Sequence, residues 1–88
     1  MKKTERDKLA AAGALHKAHD EGLKVAIAVN DDTHAQSMLK RVTVAAEKHK
    51  FTLGSVVRGD GVIIVPVGKG EVRIVSADHL VPHSQRPN

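Results

Sequence analysis

Cysteine, tryptophan and tyrosine are absent from this chain of 88 residues, and phenylalanine occurs once, as Phe51. Without cysteine the chain forms no disulfide, has no thiolate nucleophile and offers no sulfur ligand to zinc. Aromatic side chains usually supply much of the buried area of a core, so alanine and the branched aliphatic residues must supply it here. No apolar run approaches the roughly 18 residues that a membrane-spanning helix requires, and we therefore expect no membrane partner.

The charge balance is basic. Lysine and arginine number 14 against 10 acidic residues, which gives a net charge of +4. A positive balance favours polyanionic partners, either a nucleic-acid backbone or an acidic protein surface. The first residues are basic but are not followed by the apolar stretch of a secretory signal, which predicts a cytoplasmic location.

The length of the chain predicts one hydrophobic core. We expect a single α/β domain over residues 1–80, followed by a flexible, polar, proline-containing tail over residues 81–88. A chain of this size buries only about 60–65% of its unfolded surface, so its stability should be modest. Additional burial in a homodimer or against another partner is the corresponding hypothesis.

The first half of the chain has the pattern of helix, strand and helix. Residues 4–21 have a narrow apolar stripe, and Gly22 follows them as a helix-terminating glycine. Gly13 interrupts this helix, and we expect it to mark a close approach to another element. The apolar run Lys24–Val29 is typical of a strand buried on both faces of a parallel sheet. A second helix is predicted over residues 33–50, with Thr33 and Gln36 forming a capping box.

The last third has three β-type runs, at residues 53–58, 62–67 and 72–77, separated by glycine-rich turns. Pro66 lacks an N–H group, which predicts that its strand lies at an edge or that it stands near the end of a ladder. The predicted fold is therefore α/β (α+β). It has two helices and a mixed four-stranded sheet in the order α-β-α-β-β-β, ending in an antiparallel meander.

Two groups of residues resemble catalytic or metal sites but have simpler interpretations. Asn30, Asp31 and Asp32 with His34 form a possible acid–base cluster after a strand, although aspartate at a helix start normally caps free N–H groups. Six histidines include the pairs His16 and His19, and His79 and His83, but no known ligand motif. No nucleophile lies beside an obvious base. We predict no enzyme activity, no catalytic residue, no bound metal and no cofactor.

Five segments follow one another in the pattern of a known motor domain. They are Leu15–Gly22, Lys24–Val29, Asn30–Thr33, His34–Arg41 and the hairpin from Gly61 to Asp78. In this order the stretch from Ala10 to Leu80 resembles an inner segment of the additional-strand class of P-loop ATPases, which includes phage large terminases and related helicase motors. Residues 4–8 cannot cradle a triphosphate, and Asp78 lacks the second acidic residue of that family. The resemblance therefore implies a non-hydrolysing relative encoded by a phage or mobile element.

These observations predict a small, non-catalytic, basic binding module. We expect it to dock on nucleic acid or on a protein that handles nucleic acid. The alternative is a protein–protein regulator that modulates a host enzyme, or a homodimeric interaction domain. The expected contact surface is the basic face of the second helix together with the hairpin tips, and its residues are Lys40, Arg41, Lys48, Lys50, Arg58 and Lys69.

Overall fold

The computed structural model describes residues 3–77 and contains two helices and four strands. The elements are α1 (Lys3–Glu21), β1 (Lys24–Val29), α2 (Asp32–Lys48), β2 (Val57–Gly59), β3 (Val62–Val67) and β4 (Gly70–Ser76). This order confirms the predicted α-β-α-β-β-β arrangement. The predicted tail and the pair His79 and His83 lie outside the described residues.

The four strands form one mixed sheet in the order β1-β4-β3-β2. Strand β1 pairs with β4 in parallel, whereas β4 with β3 and β3 with β2 are antiparallel, as the predicted meander requires. Gly61 and Gly68 take φ values of 72° and 57° in the two hairpin turns. These left-handed conformations cost glycine little and explain its use at both turns.

Both helices pack on one face of the sheet, because every buried strand residue belongs to the same alternating set. Val72 and Ile74 of β4 pair with Val65 and Ile63 of β3, and all four are almost fully buried. The helices complete this core with small or flexible side chains: Ala11, Ala14, Leu15 and Ala18 from α1, and Ala35, Met38, Val42 and Ala46 from α2. The core is thus built almost without aromatic residues, and Phe51 packs at its margin.

Two predictions about the strands were wrong. Strand β1 is not buried on both faces but is an edge strand, with exposed Ala26 and Ala28 alternating with partly buried Val25 and Ile27. The alanines made the run apolar without requiring a covering layer. The segment 53–58 is not a continuous strand. It contributes an isolated bridge at Leu53 and the short strand β2.

Pro66 stands near the end of the ladder, one of its two predicted positions. Strand β3 is internal to the sheet, and Pro66 pairs with Glu71 one residue before the turn-side end of the strand. Its carbonyl oxygen accepts a hydrogen bond from Gly54 N–H at 2.9 Å. The missing N–H of proline therefore breaks the ladder only at its margin.

The ends of the helices agree only in part with the predictions. The N-cap of α2 is Asp31 and not Thr33, since the Asp31 carboxylate accepts a 2.8 Å hydrogen bond from His34 N–H. Helix α2 ends at Lys48, and Lys50 takes the left-handed φ of 61°. Gly22 ends α1 as predicted, with φ of 67°. The prediction for Gly13 was wrong, because nothing lies within 4 Å of a Cβ at that position.

Candidate nucleic-acid interface

Helices α1 and α2 lie side by side and run in the same direction. Asp7 contacts His34 near their N-terminal ends, and His16 contacts His49 near their C-terminal ends. Alanines at the line where the two helices meet allow a close approach and leave a trough between the larger side chains on either side. This interhelical groove lies between α1 and α2 and encloses about 610 Å³.

The interhelical groove combines cationic and apolar side chains. Residues of α2 line it at intervals of three or four, the spacing of one helix face. Its lining residues are Lys8, Leu9, Ala12, Ser37, Lys40, Arg41, Val44, Ala45, Lys48 and His49. None of these is acidic. Leu9 and Val44 are 61% and 55% exposed and add apolar surface to the groove.

Three of the four cations of the groove form no ion pair among the described residues. They are Lys8, Lys40 and Lys48. Arg41 Nε is buried and has no hydrogen-bond partner among the described residues. A buried donor without a partner costs about 1–3 kcal/mol. Because Nε of Arg41 has no partner, the guanidinium gives up no hydrogen bond at Nε when it turns toward an anion.

The structure brings together three of the six residues predicted to form the contact surface. Lys40, Arg41 and Lys48 line the groove. Arg58 lies away from it on β2, where its guanidinium donates a 3.1 Å hydrogen bond to Gln36 Oε1. Lys69 occupies the β3–β4 turn beside Gly22.

Lys50, the remaining predicted residue, is exposed just beyond the C-terminal end of α2 and does not line the groove. The hairpin tips and the basic face of α2 are therefore separate surfaces. Lys8, Leu9 and His49 were missed as groove residues. Finding them requires knowing how α1 packs against α2, which the contacts of Asp7 with His34 and of His16 with His49 show only in the structure.

Four rings gather at the C-terminal end of the groove. His16 lies edge-to-face against His49 and Phe51, with ring centroids 4.8 and 5.2 Å apart. His19 stacks on Phe51 at 4.3 Å, and His49 and Phe51 are 6.0 Å apart at an interplanar angle of 26°. We call His16, His19, His49 and Phe51 the ring cluster. His49 belongs both to this cluster and to the groove lining.

Asp20 borders the ring cluster. Its carboxylate accepts a 2.9 Å hydrogen bond from His19 Nδ1 and lies 3.8 Å from His16 Nδ1. The hydrogen bond from His19 is the main reason that the pKa of Asp20 lies below its ordinary value, and the charges of the two imidazoles act in the same direction. Asp20 thus orients two rings of the cluster.

The acid–base cluster considered from the sequence is linked by hydrogen bonds at the N-terminal ends of the two helices. His34 Nδ1 accepts a 3.3 Å hydrogen bond from Asn30 N–H, so Nε2 carries the proton and donates to Asp7 Oδ2 at 3.2 Å. Both ring nitrogens are therefore engaged, Nε2 with α1 and Nδ1 with the turn that precedes α2. Asp7 and His34 are each only 14% exposed, and both line an open cavity of about 340 Å³ together with Asp31 and Arg41.

Residues 3–77 contain neither a group of metal-ligating side chains nor a membrane-spanning helix. No three histidine, cysteine or acidic side chains in that range converge as ligands for a metal ion. None of the described helices combines the length and the apolar character needed to cross a bilayer. Comparison of the chain with family models, with curated proteins and with solved structures gives no match.

Proposed function

We propose that this protein is a non-catalytic module that binds nucleic acid through the interhelical groove. The observation that supports the proposal is the lining of the groove, which includes Lys8, Lys40, Arg41 and Lys48 and no acidic residue. Lysine and arginine are the residues that contact phosphate oxygens most directly. The net charge of the chain is only +4, so the local concentration of cations matters more than the total.

The expected mode of binding is contact with the sugar-phosphate backbone. Lys48 lies eight positions after Lys40, which places their Cα atoms about 12 Å apart along the axis of α2. Arg41 and Lys8 extend the row of cations across the groove. Each phosphate neutralised by such a row releases condensed counterions, so affinity should fall steeply as salt concentration rises.

An acidic protein segment is the second candidate ligand, and the exposed Leu9 and Val44 favour it. Aliphatic side chains flanked by cations fit an amphipathic helix that presents apolar residues along one face and carboxylates beside them. Such a helix in a nucleic-acid-handling protein or in a regulated enzyme would occupy the same groove. Nucleic acid does not need these two aliphatic contacts, and this difference separates the candidates experimentally.

The test of the first candidate is a charge reversal with a matched control. The double variant Lys40→Glu, Lys48→Glu changes the groove, and Lys24→Glu, Lys69→Glu makes the same change in net charge elsewhere. Fluorescence anisotropy with labelled DNA and RNA at low salt should show about a tenfold or larger loss for the groove variant and a much smaller loss for the control. The slope of log affinity against log salt should decrease by about two for the groove variant.

Two outcomes would contradict nucleic-acid binding by the groove. One is the absence of binding to either nucleic acid at low salt, and the other is an equal loss in the groove variant and the control. Val44→Lys distinguishes the second candidate. It adds a cation and should strengthen nucleic-acid binding, whereas it should abolish docking of an acidic amphipathic peptide by placing a charge against its apolar face.

A further inference from the structure

We infer that the interhelical groove selects single-stranded nucleic acid over duplex, with an unpaired base stacking on the ring cluster at the end of the groove. This inference rests on the proposed function and specifies its substrate class. Single-strand binding sites combine a cationic groove that follows the backbone with rings on which bases stack. The two components are adjacent here, since the lining residues Lys48 and His49 are neighbours in sequence.

The rings are positioned for a ligand and are not hidden in the core. His16 and His19 are 47% and 41% exposed, and His49 is exposed as well. Phe51 is partly buried, with its ring stacked on His19. Imidazole stacks on nucleobases as other aromatic rings do. Phenylalanine, tryptophan and tyrosine together make up only 1% of the chain, so the stacking surface consists mainly of histidine.

The cluster is also held in place. His16 contacts both His49 and Phe51 edge-to-face, and Asp20 accepts the hydrogen bond from His19 on the far side. Each ring is thereby supported by another element, which lowers the entropy lost when a base is added to the stack. Offset and edge-to-face ring pairs contribute about 0.5–1.5 kcal/mol beyond the area they bury, which favours this arrangement in the free protein.

Duplex nucleic acid cannot use this surface fully. Its bases are paired and stacked on one another, so a duplex presents phosphates to the groove cations but no free base face to the ring cluster. A single strand presents both. The groove cations should therefore determine affinity for all polyanions, and the ring cluster should determine the preference among them.

The experiment compares three ligands of equal length by fluorescence anisotropy: a single-stranded oligonucleotide, its duplex, and an abasic sugar-phosphate strand. We expect the single strand to bind about tenfold more tightly than the abasic strand. His49→Ala should remove most of this difference, and His49→Phe should retain it because the ring is preserved. Lys48→Gln is the matched control, and it should weaken binding to all three ligands by a similar factor. Thermal melting monitored by circular dichroism verifies that each variant is folded.

The results separate the failure of this inference from the failure of the proposed function. If all three ligands bind equally and His49→Ala changes none of the affinities, base stacking is wrong while binding by the groove stands. If His49→Phe loses the preference as fully as His49→Ala, a property of imidazole other than its ring shape is responsible, and stacking is again contradicted. Absence of binding to every ligand would contradict the proposed function and this inference with it.

Discussion

The two outer surfaces of this protein, the helix layer and the uncovered side of the sheet, differ sharply in chemistry. The helix layer presents the interhelical groove, with four cations and no acidic lining residue. The uncovered side of the sheet, which we call the open face, carries a row of apolar side chains and the ion pair between Glu71 and Arg73. Its apolar residues are Ala26, Ala28, Val57, Val62, Ile64, Pro66 and Val75.

This contrast shows that the net charge of the chain is a poor guide to its surfaces. The cations of the groove lie on two helices that meet only in the folded state. On the open face, by contrast, the guanidinium of Arg73 donates to the carboxylate of Glu71, two residues away on the same strand. The unpaired cations are thus gathered in one groove of the helix layer, although the two helices together are nearly neutral. The open face is nearly neutral and apolar, which is the character of a surface suited to a second protein layer.

The largest effect on stability is expected where the end of α1 packs against β4, the contact that holds both surfaces in position. A Cβ at Gly70 would lie 2.4 Å from Ala18 O and 2.3 Å from Leu23 O, where the end of α1 meets β4. Because these are backbone atoms, Gly70→Ala should destabilise the fold by about 3 kcal/mol or more, measured by chemical denaturation. Gly13→Ala is the matched control and should stabilise α1 by about 0.5–1 kcal/mol, since nothing obstructs its methyl group. Equal effects of the two substitutions would contradict the close approach at Gly70.

The next largest effect on stability tests whether the open face is uncovered in solution. Ile63 and Ile64 are neighbours on β3 and point to opposite sides of the sheet, and Ile63 is 6% exposed beneath the helices. Ile63→Ala should cost about 3 kcal/mol of unfolding free energy, because it leaves a cavity in the core. Ile64→Ala should cost about 1 kcal/mol, since its side chain is only partly buried.

Equal losses from the two isoleucine substitutions would show that another layer covers the open face. If that layer is a second copy of the chain, the loss from Ile64→Ala should grow with protein concentration, because dimerisation adds stability by mass action. Sedimentation of the wild-type protein over the same concentration range supplies the independent measurement. A homodimer stays a prediction, and the open face is the surface on which we expect it.

The smallest effect concerns Asp20 beside the ring cluster. The pKa of Asp20 is lower in the folded protein than its ordinary value, so the ionised carboxylate stabilises the folded state. This stabilisation is fully present above the ordinary pKa and is lost as the pH falls through the lowered pKa of the folded protein. Asp20→Asn should therefore lower the melting temperature slightly at neutral pH and leave it unchanged in strong acid. Glu21→Gln removes a neighbouring exposed carboxylate and is the control. If Asp20→Asn changes the melting temperature more in acid than at neutral pH, the lowered pKa of Asp20 is contradicted.

The sequence was sufficient to predict the order of the elements but not which surfaces they leave uncovered. Gly22 and the glycine-rich turns determine where elements end, and this information is local. The exposure of β1 depends on its place at the edge of the sheet. Five apolar residues in a row are equally compatible with a central strand, so the alternation of exposed Ala26 and Ala28 became visible only in the assembled sheet.

The candidate site was predictable only where its residues share one helix. Lys40, Arg41 and Lys48 follow from the periodicity of α2. Lys8 and the ring cluster depend on how α1 is aligned with α2, a tertiary property that hydrophobic periodicity does not specify. His16 and His19 were considered as metal ligands, whereas the fold assembles them with His49 and Phe51 into one group of rings.

The position of β4 has a consequence for how the chain acquires its structure. This strand is the last of the four in chain order, yet it lies inside the sheet between β1 and β3. During synthesis, α1, β1 and α2 leave the ribosome before the strand that unites them. These elements contact one another but lack the strand that most of their apolar residues pack against. The parallel pairing of β1 with β4 joins positions separated by residues 30–69, so we expect it to form late in folding. The antiparallel hairpin of β3 and β4 forms locally and quickly, which makes it the natural nucleus onto which the earlier elements condense.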